Sequence, residues 1–209
     1  MPFDPLSLRL YLVTDRGLAR GRPLVDIVAA AVRGGATMVQ LREKNATTRA
    51  FLDEARALKA LLAPLGIPLV INDRLDIALA VDADGVHVGQ TDMPVAEVRR
   101  IAGPDKFIGL SITNAAQIAR PDATMADYLG IGPLYLQQTK NDASTPLGVD
   151  GFRHLRAQSP KPVVAIGGLK PDNSPPVIAA GANGLAIVSA IVAAEEPERA
   201  AREFARLFE

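Results

Sequence analysis

The chain has 209 residues, 48% of them apolar and only 4% aromatic, with no Trp and no Cys. Its 23 basic residues balance 23 acidic ones, which excludes the basic footprint of a bulk nucleic-acid or anionic-membrane binder. Without Cys there are no disulfides, thiolate nucleophiles or zinc-thiolate sites, and the length suits one domain spanning residues 1–209.

The opening Met1-Pro-Phe-Asp-Pro5 lacks the basic stretch, apolar core and cleavage site of a signal peptide. No apolar run reaches membrane-spanning length, so the expectation is a soluble, cytoplasmic protein that binds neither membrane nor nucleic acid. A mainly apolar strand runs from Leu8 to Thr14 and ends in Asp15. Pro23 to Arg33 reads as an Ala-rich helix, begun by Pro and closed by Gly34-Gly35. Thr37 to Glu43 is the second strand, and Thr47 caps a helix from about Thr48 to Ala63, with Phe51, Ala55, Leu58 and Leu62 at helical spacing. Leu69-Val-Ile71 leads into Asn72-Asp73-Arg74 and a short helix from Asp76 to Val81. Gly85 to Gly89 is the fourth strand, followed by a helix from Pro94 to Ile101. Phe107 to Ile112 and Tyr128 to Leu134 are the fifth and sixth strands, separated by a helix from Asn114 to Arg120.

Gln137 to Pro146 has no apolar periodicity and reads as a loop before a helix from Val149 to Ala157. The seventh strand, Pro162 to Ile166, ends in Gly167-Gly168 and precedes a helix from Pro175 to Ala180. Leu185 to Val188 is the eighth strand, followed by Ser189, and Glu195 to Phe208 closes the chain as an amphipathic helix. Eight strand signals alternate with eight helical ones, and most of the strands read as Val/Ile/Leu runs rather than alternating ones, as expected when helices cover the sheet. An open doubly wound sheet fits five or six such units more comfortably, and no Gly-x-Gly-x-x-Gly follows the first strand. The reading is an α/β fold, a (β/α)8 TIM barrel.

In such a barrel the chemistry gathers at the C-terminal strand ends. Those ends carry Asp15; Gln40, Arg42 and Lys44; Asn72 and Asp73; Gln90 and Asp92; Ser111; Thr139 and Lys140; Gly168; and Ser189. The two-residue period places Gln40, Arg42 and Lys44 on one side of their strand and Val39 and Leu41 on the other. Asp73 and Asp92 follow neighbouring strands. As a pair beside cations they suit Mg2+, which keeps several waters and bridges carboxylates to substrate phosphates; singly, each is equally a helix cap. Asp15 reads as a cap or a third member of that set. Arg42, Lys44 and the loop residue Lys140 offer charge for a polyphosphate, against the plainer reading of solvated surface charge. Gly167-Gly168 with Ser189 is either a tight turn or a cup of backbone N–H groups for a monophosphate. His87, mid-strand between Val86 and Val88, reads as a packed, hydrogen-bonded histidine, and His154 as a surface residue. Two anion sites and a metal site imply two phosphorylated small molecules, with diphosphate leaving under electrostatic stabilisation and no protein nucleophile.

Tyr11-Leu-Val-Thr-Asp15, Gln40-Leu-Arg-Glu-Lys44, Ile71-Asn-Asp-Arg74, Asp84-Gly-Val-His-Val-Gly-Gln-Thr-Asp92, Gly130-Ile-Gly-Pro133 with Thr139-Lys140, Ala165-Ile-Gly-Gly168 and Ile187-Val-Ser-Ala190 occur in order along the chain. Together they resemble the thiamine-phosphate synthase (thiamine-phosphate pyrophosphorylase) family over essentially the full length. The resemblance implies an Mg2+-dependent transferase. It would join 4-amino-5-hydroxymethyl-2-methylpyrimidine diphosphate to 4-methyl-5-(2-phosphoethyl)thiazole through a dissociative reaction that releases diphosphate. It implies that Gln40, Arg42, Lys44 and Asn72 contact the pyrimidine diphosphate and that Asp73 and Asp92 hold Mg2+. Ser111, Lys140 and Arg42 would assist the leaving diphosphate, and Thr139, Gly168 and Ser189 would place the thiazole phosphate. The chain departs from the family pattern at Gln137, where Thr is usual and a hydrogen-bond donor is retained, and at Thr113, where His is usual. The alternatives are a thiazole-isomerising barrel of the same superfamily, a phosphosugar isomerase or epimerase, and a catalytically silent barrel that binds a phosphorylated ligand. A homodimer through apolar helix faces is compatible with the composition.

Overall fold

The computed structural model describes residues 3–136 and 145–209. Eight parallel strands close into a barrel in chain order: β1 (Leu10–Val13), β2 (Met38–Leu41), β3 (Leu69–Asn72), β4 (Gly85–Val88), β5 (Phe107–Ile112), β6 (Tyr128–Ile131), β7 (Val163–Ile166) and β8 (Gly184–Ile187). Each strand pairs with its sequence neighbours, and β8 returns to β1 through Leu12↔Ile187, so no edge is left open. The helices are α1 (Leu24–Arg33), α2 (Thr48–Leu62), α3 (Leu75–Ala80), α4 (Val95–Ala102), α5 (Ala115–Ile118), α6 (Pro121–Met125), α7 (Gly148–Ala157), α8 (Pro175–Ala179), α9 (Ser189–Val192) and α10 (Pro197–Ala205). None of the described helices is long and apolar enough to cross a membrane.

The strand period separates two cores. Leu12, Val39, Leu41, Ile71, Val86 and Ile108 face outward into a continuous apolar shell with Phe51, Ala55, Leu58 and Leu62 of α2 and the apolar faces of other helices. Tyr11, Val13, Met38, Val70, Phe107, Tyr128, Val164 and Ala186 form a second cluster inside the barrel, stoppered at its N-terminal end by Leu8. Each fully buried aliphatic side chain of this kind contributes roughly 1.5–3 kcal/mol.

The barrel and its single-domain organisation follow the sequence pattern, while several element boundaries differ. Leu8 belongs to a 3-10 turn, Pro5–Leu8, capped by Asp4 Oδ1 accepting from Leu6 N at 2.9 Å, so β1 starts two residues later than expected. The sixth strand stops at Ile131 because Pro133, without an N–H, cannot extend the ladder. The expected helix over 114–120 is shorter, with Asn114 as its cap, and the one-turn helices α6 and α9 were not signalled. A single turn holds too few residues to show a 3.6-residue period. Most of the loop expected over 137–146 lies outside the described residues.

Candidate active site

A cavity of about 580 Å³ opens at the C-terminal end of the barrel. Its mouth carries Asp15, Arg42, Lys44, Asp73, Asp92, Thr113 and Gln117, and its floor carries Tyr11, Gln40, Asn72, His87 and Ser111. The floor residues share the inward strand parity of the interior core, which is why polar side chains sit at the top of an otherwise apolar barrel.

The charged groups hold one another in place. Arg42 Nη1 donates to Asp15 Oδ2 at 3.1 Å, while Asp15 Oδ1 accepts from Leu18 N at 3.2 Å. Asp15 therefore caps its turn and also aims Arg42, whose own backbone N–H donates to the buried Thr14 hydroxyl at 3.0 Å. Lys44 Nζ lies 2.5 Å from Asp73 Oδ2, and Asn72 Nδ2 donates to Asp73 Oδ1 at 2.7 Å and to the His87 carbonyl at 3.2 Å. Asp92 Oδ2 accepts from Gly89 N at 2.7 Å, so it closes its turn while facing the cavity. Burial raises the Asp92 carboxyl above the ordinary carboxylate range; the Gly89 N–H opposes this, the adjoining Asp73 carboxylate adds to it, and Lys44 opposes it.

Asp73 and Asp92 thus meet as a carboxylate pair. Among the described residues no group of three or more potential metal-ligating side chains occurs, and Asp15 is engaged as the cap of its turn and the partner of Arg42. Among the described residues the lining has three carboxylates, Asp15, Asp73 and Asp92, against two cations, Arg42 and Lys44. That balance would repel a diphosphate unless a further cation joined it. A pair of carboxylates with room for water and phosphate oxygens is the donor set Mg2+ accepts, since it binds through one or two carboxylates beside substrate phosphates.

The structure brings Gln40, Arg42, Lys44, Asn72, Asp73, Asp92 and Ser111 to one cavity. Gly168 and Ser189 follow β7 and β8 at the same barrel end but are not among the residues lining it. Gly168 has φ +67°, and a Cβ there would lie 2.7 Å from Tyr135 Cβ and 2.8 Å from the Leu136 carbonyl oxygen, so the neighbouring loop by itself demands glycine. Gln137, Thr139 and Lys140 lie outside the described residues. His154 is exposed, as expected.

Three participants were not singled out from the sequence. Tyr11 and Tyr128 place their hydroxyls against the polar floor, and inward strand parity was the available signal. Gln117 accepts from Thr113 N at 2.7 Å and from the Thr113 hydroxyl at 3.1 Å, a pairing made by the tight turn before α5. His87 is buried and hydrogen-bonded, as read from its strand position, yet it also lines the cavity.

A profile of the thiamine monophosphate synthase family matches residues 10–191. The chain is 53% identical over 203 residues to a thiamine-phosphate synthase of Albidiferax ferrireducens, covering 97% of this chain and 93% of that protein. It is 55% identical over 201 residues to one of Solidesulfovibrio magneticus, covering 96% and 94% respectively. A thiamine phosphate pyrophosphorylase structure from Pyrococcus furiosus superposes with a TM-score of 0.89 at 36% identity, covering 97% of this chain and 96% of that one. A 3-hexulose-6-phosphate synthase shares the fold, with a TM-score of 0.71 at 18% identity over 95% of this chain and 99% of that one.

Proposed function

The chain belongs to the thiamine monophosphate synthase family, and on that premise we propose that it condenses 4-amino-5-hydroxymethyl-2-methylpyrimidine diphosphate with 4-methyl-5-(2-phosphoethyl)thiazole. The products are thiamine phosphate and diphosphate. The observation that carries this reading is the meeting of Arg42, Lys44 and the Asp73–Asp92 pair over a cavity floored by Gln40, Asn72 and Ser111.

The carbon–oxygen bond between the pyrimidine methylene and diphosphate breaks with its electron pair on the diphosphate. The thiazole nitrogen then forms the new carbon–nitrogen bond to that methylene. No protein nucleophile is needed; the residues align the partners and stabilise the departing charge. Asp15 aims the Arg42 fork at the mouth, where it would take two phosphate oxygens, and Lys44 adds a point charge. Asp73 and Asp92 would hold Mg2+, which when bound supplies the positive charge that offsets the carboxylate excess. Gln40 and Asn72 would orient the pyrimidine end, and Ser111 would donate to the diphosphate, joined by Lys140. Thr139, Gly168 and Ser189 would receive the thiazole phosphate, with Gln137 as a further donor. An isomerase acting on the thiazole phosphate alone would leave the carboxylate pair and its cations without a task.

The test is diphosphate release with both substrates, with and without Mg2+, and with the organic product identified by mass. Magnesium-dependent thiamine phosphate is the expected result. Tight binding of either substrate with no condensation would overturn the reading in favour of a silent binder, and an isomerised thiazole in favour of the isomerase.

A further inference from the structure

Five side chains from five strands form a continuous hydrogen-bonded row: Gln40 Nε2 donates to Tyr11 Oη at 2.7 Å, Tyr11 Oη meets Tyr128 Oη at 2.8 Å, Tyr128 Oη meets His87 Nδ1 at 3.0 Å, and His87 Nε2 meets Ser111 Oγ at 2.9 Å. Tyr11 and Tyr128 are 1% and 0% exposed, and Gln40 and His87 are 5% and 8% exposed.

Gln40 sets the donor at one end of the row. The Gln40 amide nitrogen can only donate, so Tyr11 accepts there; either phenol can donate across the Tyr11–Tyr128 contact, and the ordering in which Tyr11 donates lets each hydroxyl both accept and donate. In that ordering Tyr128, having accepted, donates to His87 Nδ1. An imidazole that accepts at Nδ1 carries its proton on Nε2 and donates it to Ser111 Oγ. Burial raises both phenols above their ordinary value, which keeps them protonated and able to donate. The backbone makes room for this arrangement: a Cβ at Gly109 would lie 2.2 Å from Tyr128 Cζ and 2.3 Å from His87 Nδ1, and one at Gly130 would lie 3.1 Å from His87 Cε1. Ser111 is pinned at its carbonyl by Gln90 Nε2 at 2.7 Å, which leaves the hydroxyl rotor as the freedom to be set.

We propose that Tyr11, Tyr128 and His87 are positioning residues that hold His87 as the neutral Nε2–H tautomer and so fix the Ser111 hydroxyl as a donor into the cavity. The tautomer and the rotor are properties of the free protein. Their consequence for turnover rests on the reading above, in which Ser111 donates to the departing diphosphate. A hydroxyl already aimed at the developing charge need not reorganise as the bond breaks, which is where preorganised donors act.

The first test is two-bond 15N–1H correlation NMR of the substrate-free protein, which has only two histidines, with His154→Gln to assign them. The expected result is a protonated Nε2 and an unprotonated Nδ1 on His87; an Nδ1–H tautomer or an imidazolium overturns the proposal. The second test is Tyr128→Phe, which removes the donor to Nδ1. It is expected to mix or reverse the tautomer and to lower kcat about tenfold, less than the loss of a whole oxyanion donor. In a Ser111→Ala background the same Tyr128→Phe change is expected to cost no further kcat. An equal cost in both backgrounds shows a role that does not pass through Ser111 and overturns the proposal. Absent turnover with the Nε2–H tautomer intact sinks the proposed reaction alone, and the opposite tautomer sinks this inference whatever the turnover.

Discussion

At the scale of single residues, the mouth combines a strained backbone with a pair of like charges. Asp73 has φ +61°, a left-handed backbone that Asp tolerates better than most side chains but which still costs on the order of 1 kcal/mol. Lys44 and Asn72 hold its two oxygens, and Asp92 beside it is raised chiefly by burial. Asp92→Asn keeps the shape and the acceptor for Gly89 N while removing the charge. If the proposed Mg2+ site is real, the Mg2+ concentration giving half-maximal diphosphate release should rise about ten- to hundredfold; an unchanged titration would remove Asp92 from the proposed site. The buried phenols give a second expectation at this scale. Burial first, and for Tyr128 also the nearby Tyr11, raise both above the ordinary tyrosine value of 10.0. In the unfolded chain they ionise at about 10, so the stability they lend is complete below that pH and is lost as pH rises toward the folded values. The Tyr11→Phe/Tyr128→Phe protein should show a flatter decline of its urea midpoint above about pH 10. Equal slopes would place the alkaline loss on other groups.

At the scale of elements, β5 shows how local sequence and tertiary demand interact. Ile108, Leu110 and Ile112 cover the outer face, and their alternation with Phe107, Gly109 and Ser111 was legible from the chain. Gly109 lacks a side chain because the His87 and Tyr128 rings occupy the space beside it. Gly109→Ala should destabilise by about 1–3 kcal/mol through overpacking, read as a lower urea midpoint with unchanged slope. It should also disturb the His87 tautomer signal; a neutral substitution would show that the row of rings yields without cost. Elements of ten residues or more, such as α1 and α2, were readable because two or three turns display the apolar stripe. One-turn pieces such as α6 and α9 are set by Pro121 and by the chain leaving β8, and no period announces them.

At the scale of the whole molecule, barrel closure gathers charges scattered through the chain, and the described lining has more carboxylates than cations. Diphosphate or Mg2+ alone should therefore shift thermal unfolding little, whereas both together should stabilise markedly. A hundredfold excess over Kd is worth about 2.7 kcal/mol, or roughly 5–10 °C for a domain of this size. A full shift with diphosphate alone, followed by differential scanning fluorimetry, would refute the need for a bridging cation. The sequence by itself determined the strand rhythm, the barrel, and the polar groups at its strand ends, because strand periodicity and strand-end position are local patterns. The tertiary structure alone decided that Asp15 aims Arg42, that Gly168 answers to the Tyr135–Leu136 backbone, and that Gln40, Tyr11, Tyr128, His87 and Ser111 form one hydrogen-bonded row. Hydrogen bonds act over about 3 Å, and Tyr11 and Tyr128 are 117 residues apart in the chain. Only closure of β8 onto β1 brings such groups within range.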